Sequence, residues 1–137
     1  MKLSPHLIFN GQCEAAFKFY EQCFGGKIEC LMTYASRPDE FPVPAEWRDK
    51  ILHASVAVGG QSLLGADVLP ESYQKPQGFH VTVSSPAEVA EAERIFAALA
   101  ENGTVQMPLQ ETFWAIRFGM VVDRFGIPWM INCGRPV

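Results

Sequence analysis

The chain has little positive charge, no long hydrophobic run and no paired-cysteine motif. Its 11 Lys and Arg residues are outnumbered by 15 Asp and Glu residues, and the formal net charge is −4. A mildly acidic chain without a basic stripe argues against nucleic acid and anionic membranes as partners. No apolar run approaches the roughly 18–20 residues that span a bilayer, and the first residues show no cleavable signal pattern. We therefore expect a cytoplasmic protein.

The cysteine spacing and the lack of catalytic motifs argue against cysteine-based metal sites and nucleophilic catalysis. Cys13, Cys23, Cys30 and Cys133 form neither a C-x-x-C pair nor a zinc-knuckle pattern, so we expect reduced thiols packed mainly as small apolar groups. Cys13 stands at a predicted helix start, where a helix N-terminus can lower a thiol pKa, although structural burial is the more common outcome for cysteine. No Ser-His-Asp or Cys-His nucleophile arrangement and no phosphate-binding glycine loop is visible.

Two halves of the chain carry the same order of elements. Apolar spacing in the first half predicts a strand, a helix and three strands, at 6–9, 12–24, 28–34, 51–58 and 61–67. The second half repeats this order at 79–84, 89–100, 104–110, 115–123 and 127–132, with a capping box at 85–88 before its helix. A glycine turn precedes the last strand of each half, at Gly60 and Gly126. The halves therefore repeat in pattern rather than in letters.

The repeat predicts an α+β fold of two βαβββ modules, about 1–70 and 77–137, within a single domain that spans 1–137. One such module is too small to bury a sheet face alone. Pairing two modules, within one chain or across a dimer, would form curved mixed sheets with the helices on the outer face. The concave inner face would then be free to hold a small-molecule ligand.

Three stretches of the sequence support a resemblance to a known family. They are PHLIFNGQCEAAFKFYEQCFGG (5–26), ILHASVAVGGQSLLGAD (51–67) and AEVAEAERIFAALAENGTVQMPLQETFWAIRFGMVVDRFGIPWMIN (87–132). Together they resemble the PhnB-like branch of the vicinal oxygen chelate superfamily, which includes glyoxalase I, fosfomycin resistance enzymes, extradiol dioxygenases and bleomycin resistance proteins. Some relatives carry a name that implies a 3-demethylubiquinone methyltransferase. The sequence, however, lacks the glycine-rich strand–turn–helix signature of a nucleotide-type cofactor fold.

The resemblance also implies where a metal would be held. Metal-dependent members place ligands on the first and last strands of each module, where a divalent ion acts as a Lewis acid on substrate oxygens. His6 and His80 match the two first-strand positions. The last-strand positions, four residues after the glycine turns, are Leu64 and Met130. Leucine has no lone pair to offer, and a thioether is a poor ligand for hard divalent ions.

We therefore expect no cofactor and no complete metal site, because such sites usually need three or more protein ligands. His6 and His80 are the weak metal candidates. His53 or Glu111 would supply a third ligand only from a shifted geometry that the spacing does not support. In the preferred interpretation the two histidines are neutral, hydrogen-bonded residues that line a pocket, and Leu64 and Met130 form an apolar part of its wall.

Three further residues are candidates for ligand contact. If Arg117 lies on the concave face, it would bind an anionic ligand through bidentate hydrogen bonds. The alternative is that Arg117 forms an ion pair, either within the protein or at a dimer interface. Trp114 is a candidate aromatic wall, and Trp129 is a weaker one because a tryptophan near strand ends is more often core. Gln110 offers a polar group that would orient a ligand.

Three functions remain open, and the fold alone cannot choose among them. The favoured hypothesis is a homodimeric, small-molecule-binding protein without a strong metal site. The second is a metal-dependent lyase, isomerase or transferase that acts on a small electrophilic or anionic substrate through His6 and His80. The third is a protein that sequesters a drug or metabolite without reacting it. The irregular, proline-containing segment 35–50 is predicted to be a lid or partner-contacting arm, or else a disordered surface loop.

Overall fold

The computed structural model describes residues 1–84 and 88–134. The chain divides into two compact units, Met1–Gln74 and Lys75–Val137. Within the described residues each unit has one α-helix and one four-stranded sheet, and the predicted order of strand, helix and three strands is confirmed in both. The capping box predicted at 85–88 lies outside the described residues except for Glu88.

The first unit places its first and last strands side by side. It consists of β1 (His6–Phe9), α1 (Cys13–Phe24), β2 (Lys27–Thr33), β3 (Ile51–Val58) and β4 (Gln61–Asp67). The strand order is β1-β4-β3-β2, in which β1 and β4 are parallel and the other neighbours are antiparallel. Gly59 and Gly60 both have positive φ, as a two-residue hairpin turn between β3 and β4 requires.

The second unit repeats this topology. It consists of β5 (Val81–Ser84), α2 (Val89–Ala100), β6 (Thr104–Gln110), β7 (Ala115–Val122) and β8 (Pro128–Gly134), with the strand order β5-β8-β7-β6. Strands β5 and β8 are parallel, like β1 and β4. Strand β5 begins later than predicted, so Phe79 and His80 precede it. The mixed sheets predicted by the sequence pattern are therefore present in both units.

Each helix buries one apolar stripe against its own sheet. In α1 the buried side chains are Cys13, Ala16, Phe17, Tyr20 and Cys23, and in α2 they are Ala92, Ile95, Phe96 and Leu99. The ring of Phe17 meets that of Phe9 on β1 edge to face, with 6.1 Å between ring centroids. Fully burying one such side chain stabilises the fold by about 1.5–3 kcal/mol. Within the described ranges, no helix combines the length and the apolar character that crossing a bilayer requires.

The segment 35–50 is held at both ends. The backbone N–H groups of Tyr34 and Ala35 donate to the carbonyls of Lys50 and Arg48, at 3.0 and 3.1 Å. The ammonium group of Lys50 donates to the carbonyl of Gly11 at 3.2 Å. These contacts tie the segment to the end of β2 and to the turn between β1 and α1.

Candidate functional site

The helix-free face of the first sheet, defined as the side opposite α1, is identified by the packing of Gly65. A Cβ atom at Gly65 would lie 2.7 Å from ring atoms of Phe17 in α1, so this position faces the helix. Side chains alternate along a strand, so Leu64 points to the helix-free face. In the parallel pair of β1 and β4, His6 stands beside Leu64. These two predicted site residues are therefore neighbours on one face.

A row of four side chains crosses this face. Its members, taken across the sheet from β1 to β2, are His6, Leu64, Ser55 and Cys30. His53 lies two residues before Ser55 on the same strand and so shares the face, a position that the alternation in ILHASVAV already indicates. Burial, and then the charge of His53, lower the pKa of His6 below its ordinary value. His6 is therefore a neutral imidazole near pH 7, able to donate or accept a hydrogen bond.

Gly119 identifies the helix-free face of the second sheet in the same way. A Cβ atom at Gly119 would lie 2.8 Å from a ring atom of Phe96 in α2, so Met120 faces away from the helix. The row that crosses this face holds three methionines and is called the methionine row: Thr82, Met130, Met120 and Met107. The hydroxyl of Thr82 donates a weak hydrogen bond to the sulfur of Met130, at 3.8 Å.

His80 does not occupy in the second unit the position that His6 occupies in the first. His6 stands directly beside the last-strand candidate of its unit, but the residue beside Met130 is Thr82. His80 precedes β5, and its Nε2 lies 3.2 Å from Oε1 of Gln106. The predicted equivalence of His6 and His80 is therefore wrong by two residues, because the register of β5 against β8 places Thr82 at that point.

A second row lies next to the methionine row on the same face. Its members, from β5 to β6, are Ser84, Asn132, Phe118 and Gln110. The predicted candidate Gln110 thus shares a face with the methionines. Oδ1 of Asn132 is buried and has no hydrogen-bond partner in the part of the chain that the structure describes. The ring of Phe118 contacts that of Trp114, with centroids 5.2 Å apart, so the candidate Trp114 is joined to this face through Phe118.

Arg117 and Trp129 lie on the other side of the second sheet, towards α2. Arg117 shares its face with Gly119, and its Nε is 3.6 Å from a carboxylate oxygen of Glu93 on α2. The placement of Arg117 on the concave face is therefore wrong, and the ion-pair alternative describes its geometry. Trp129 is buried in the core, where its indole N–H donates to Asp123 at 2.8 Å.

The residues of the two helix-free faces do not fit the divalent metal site that the fold family implies. In the first sheet an imidazole stands beside Leu64, and in the second a hydroxyl stands beside Met130. Among residues 1–84 and 88–134, no three His, Cys, Asp or Glu side chains are grouped so that they could hold a metal ion. Zinc enzymes usually supply three such ligands. What these faces offer is hydrogen-bonding groups, thioethers and aromatic rings.

The four cysteines are not joined by disulfide bonds, in agreement with the sequence analysis. Cys13, Cys23 and Cys133 are buried, and Cys30 is half-buried. At Cys13, burial and then the negative charge of Asp67 raise the thiol pKa above its ordinary value. The helix start does not activate Cys13, and the structural interpretation of this residue is correct.

Comparison with known proteins places the chain in one family. Residues 1–132 match the family described as 3-demethylubiquinone-9 3-methyltransferase. Protein PA1353 from Pseudomonas aeruginosa is 44% identical, with a TM-score of 0.89 over 99% of both chains. The PhnB protein from Bacillus cereus, named a putative 3-demethylubiquinone-9 3-methyltransferase, is 23% identical, with a TM-score of 0.80 over 96% of this chain and 98% of that one. The fosfomycin resistance protein FosX from Listeria monocytogenes shares the fold at 14% identity, with a TM-score of 0.61 over 98% of this chain and 91% of that one. The chain therefore belongs to the PhnB-like 3-demethylubiquinone-9 3-methyltransferase family, with the α+β fold of the glyoxalase and bleomycin resistance proteins.

Proposed function

We propose that this protein binds a small organic molecule on the helix-free faces of its sheets, as a cytoplasmic homodimer without a resident divalent metal ion or other cofactor. The composition of the faces carries this proposal, because His6 and Thr82 stand directly beside the apolar side chains of Leu64 and Met130. A few polar groups among apolar ones are typical of small-molecule sites. Four cysteines without a disulfide favour a reducing compartment, and the net charge of −4 disfavours nucleic acid as a partner.

The proposal does not include methyl transfer, although the family description names it. Nucleotide-type cofactors are commonly held by free backbone N–H groups at a strand–turn–helix junction. At the junction of β1 and α1, the N–H groups of Gly11 and Cys13 both donate to the carboxylate of Asp67, at 2.9 Å. These donors are therefore already occupied by a negatively charged group.

A thermal-shift screen of neutral, anionic and aromatic metabolites tests ligand binding. We expect at least one compound to raise the melting temperature progressively as its concentration increases, because a ligand of the native state stabilises by mass action. Leu64→Trp and Met130→Trp fill the two faces and should abolish the shift on their own face. Leu3→Trp, at a position 94% exposed, is the matched control and should retain both. If no compound stabilises the wild-type protein, or if both filled variants respond like it, the proposal is wrong.

Elemental analysis separates this function from a metal-dependent lyase, isomerase or transferase. For protein purified without chelator, we expect no stoichiometric nickel, zinc, manganese or iron. Metal that is present at one equivalent and lost in His6→Ala or His80→Ala would support the enzyme instead. Once a ligand is identified, mass spectrometry after incubation distinguishes the remaining alternatives, since sequestration returns the ligand unchanged.

The dimer is supported by large apolar side chains left on the surface. Phe113 is 89% exposed, and Phe41 and Phe79 are 47% and 46% exposed. The exposed rings of Phe113 and Trp114 are contiguous, with centroids 4.8 Å apart, and contiguous apolar surface is typical of protein–protein contacts. Light scattering should give about twice the 15.2 kDa of one chain, and Phe113→Asp should lower that mass while Lys2→Asp, which also introduces a negative charge, should not. A mass of one chain at all concentrations would refute the dimer.

A further inference from the structure

The helix-free face of the second sheet selects a particular class of ligand. Building on the proposed function, we propose that Phe118, Met120, Met130 and Asn132 bind a neutral, planar aromatic molecule that carries an N–H or O–H donor. These four residues, called the Asn132 patch, occupy adjacent positions on β7 and β8. Neighbouring strands lie about 4.8 Å apart, and successive rows on one face lie about 6.7 Å apart. The patch therefore has roughly the area of a fused two-ring system.

The thioethers and rings of the patch favour an aromatic partner. Methionine sulfur makes favourable contacts with aromatic rings at about 5 Å, often at the ring edge. Met120 and Met130 are half-buried neighbours in the methionine row, so their side chains are partly accessible on this face. Phe118 lies in the next row and meets Trp114 at an interplanar angle of 69°. The ring of a ligand placed on the methionine row would lie next to the ring of Phe118, where a third aromatic ring can add to the edge-to-face pair of Phe118 and Trp114.

The side-chain amide oxygen of Asn132, Oδ1, is the polar atom of the patch that lacks a hydrogen-bond donor within the described residues. It is buried, and no donor within the described residues reaches it. Nearly all buried polar atoms in folded proteins have a partner, because leaving one unsatisfied is costly. Asn132 stands in register with Ser84 and Phe118 on the helix-free face. The Asn132 residue is half-buried, so a rotation of its side-chain amide would bring this oxygen within reach of an N–H or O–H group on the rim of a ligand ring.

The absence of ionisable groups in the two rows favours a neutral ligand. The eight side chains are those of Thr82, Met130, Met120, Met107, Ser84, Asn132, Phe118 and Gln110. The arginine of β7, Arg117, points to the opposite side and pairs with Glu93. His80 precedes β5 and lies outside the two rows, with its Nε2 3.2 Å from Oε1 of Gln106. A charged ligand seated on the two rows would lose hydration without gaining an opposite charge from them. The anionic ligand that Arg117 suggested from the sequence is therefore not the class that this face fits.

Methyl NMR of protein labelled at its methionines tests where such a ligand binds. The chain has five methionines, so the signals of Met107, Met120 and Met130 on the second sheet can be compared with those of Met1 and Met32. With indole as the probe, ring currents should move the signals of the first three and leave the other two unchanged. Movement of Met32 alone would place binding on the first sheet and overturn this inference while leaving the proposed function intact. No movement with indole, combined with stabilisation by other compounds in the thermal-shift screen, would have the same meaning.

The donor and the charge are tested with matched probes and variants. We expect 1-methylindole, which lacks the N–H donor, to bind about tenfold more weakly than indole, and indole-3-acetate to bind more weakly than indole as well. Asn132→Leu should bring the affinities of indole and 1-methylindole together, whereas Asn10→Leu, in an exposed turn of the first unit, should not. Equal binding of indole and 1-methylindole to the wild-type protein overturns the role of Asn132, whether or not the variant folds. If no probe and no screened compound binds, it is the proposed function that fails.

Discussion

One carboxylate, that of Asp67 at the end of β4, joins three parts of the first unit. It is 1% exposed. One of its oxygens accepts the N–H groups of Gly11 and Cys13, and the other accepts that of Ile51, all at 2.9 Å. Asp67→Asn preserves the shape but replaces one oxygen with an amino group. In either orientation of the amide, at least one buried backbone N–H then faces another donor.

The cost of Asp67→Asn follows from the hydrogen bonds that it removes. A hydrogen bond to a charged group contributes about 1.5–3 kcal/mol, and an unsatisfied buried donor costs about 1–3 kcal/mol. The negative charge is also lost beside the start of α1, where Gln12 makes no side-chain capping hydrogen bond. We therefore expect the free energy of unfolding to fall by about 2–4 kcal/mol. That is a large share of the roughly 5–15 kcal/mol that stabilises a typical protein.

Urea unfolding, followed by circular dichroism and tryptophan fluorescence, measures this change by linear extrapolation. Asp39→Asn removes the same charge from an exposed position and should change the free energy of unfolding by less than about 0.5 kcal/mol. If Asp67→Asn lowers the free energy of unfolding by less than about 1 kcal/mol, the three backbone N–H groups do not need both carboxylate oxygens as acceptors. The account of Asp67 as a shared acceptor would then be wrong.

Three further predictions concern packing, pH and thiol reactivity. Gly119→Ala places a Cβ atom 2.8 Å from the phenylalanine ring of α2 and 3.0 Å from the backbone of β6, so we expect urea unfolding to show a loss of about 1–3 kcal/mol; an unchanged midpoint would contradict this close contact. The pKa of His6 is lowered in the folded protein, so below about pH 6.5 the unfolded chain takes up the proton first and stability falls as the pH drops. His6→Gln should remove that part of the pH dependence, and an NMR titration should show the pKa of His6 rising in His53→Ala. Because Cys13 is buried with a raised pKa and Cys30 is only half-buried, a thiol reagent should label Cys30 first; mass spectrometry showing rapid labelling of Cys13 would disprove this.

The elements and the faces of the strands were predictable because they depend on local periodicity. Alternation assigned Met130 and Asn132 to one face of β8 and Trp129 to the other, and the structure agrees. The glycine turns located Leu64 and Met130, because a tight turn fixes where the next strand begins. Alternation shows which side chains share a face of a strand, however, but not whether that face lies against the helix. The sequence pattern put Arg117 on the same face as Gly119, but it did not show that this face lies against α2.

Register was the part of the site that local patterns did not determine. The histidine near the start of each first strand suggested an equivalence, but pairing with β8 makes Thr82 the counterpart of His6. One local signal agrees with the structure: His6 precedes Cys13, the first residue of α1, by the same interval as Thr82 precedes Val89, the first residue of α2. The number of residues before the helix is therefore a better guide here than residue identity.

Contacts between residues far apart in the sequence were beyond any local pattern. Asp67 meets the N–H groups of Gly11 and Cys13 across more than fifty residues, and its acidic side chain alone suggests an exposed strand end. The methionine row similarly draws its members from four strands. Each methionine follows an ordinary alternation on its own strand, so only the pairing of the strands shows that three thioethers lie side by side.

The low identity between the halves has a physical reason in how each helix approaches its sheet. Both helices press a phenylalanine against a glycine, Phe17 against Gly65 in the first unit and Phe96 against Gly119 in the second. The glycines are not equivalent, because Gly65 lies on the last strand of its unit and Gly119 on the strand before it. The same topology thus accommodates the ring of its helix through different strands. The two halves therefore share the periodicity and the turns, but not the position of the residue that makes room for the ring.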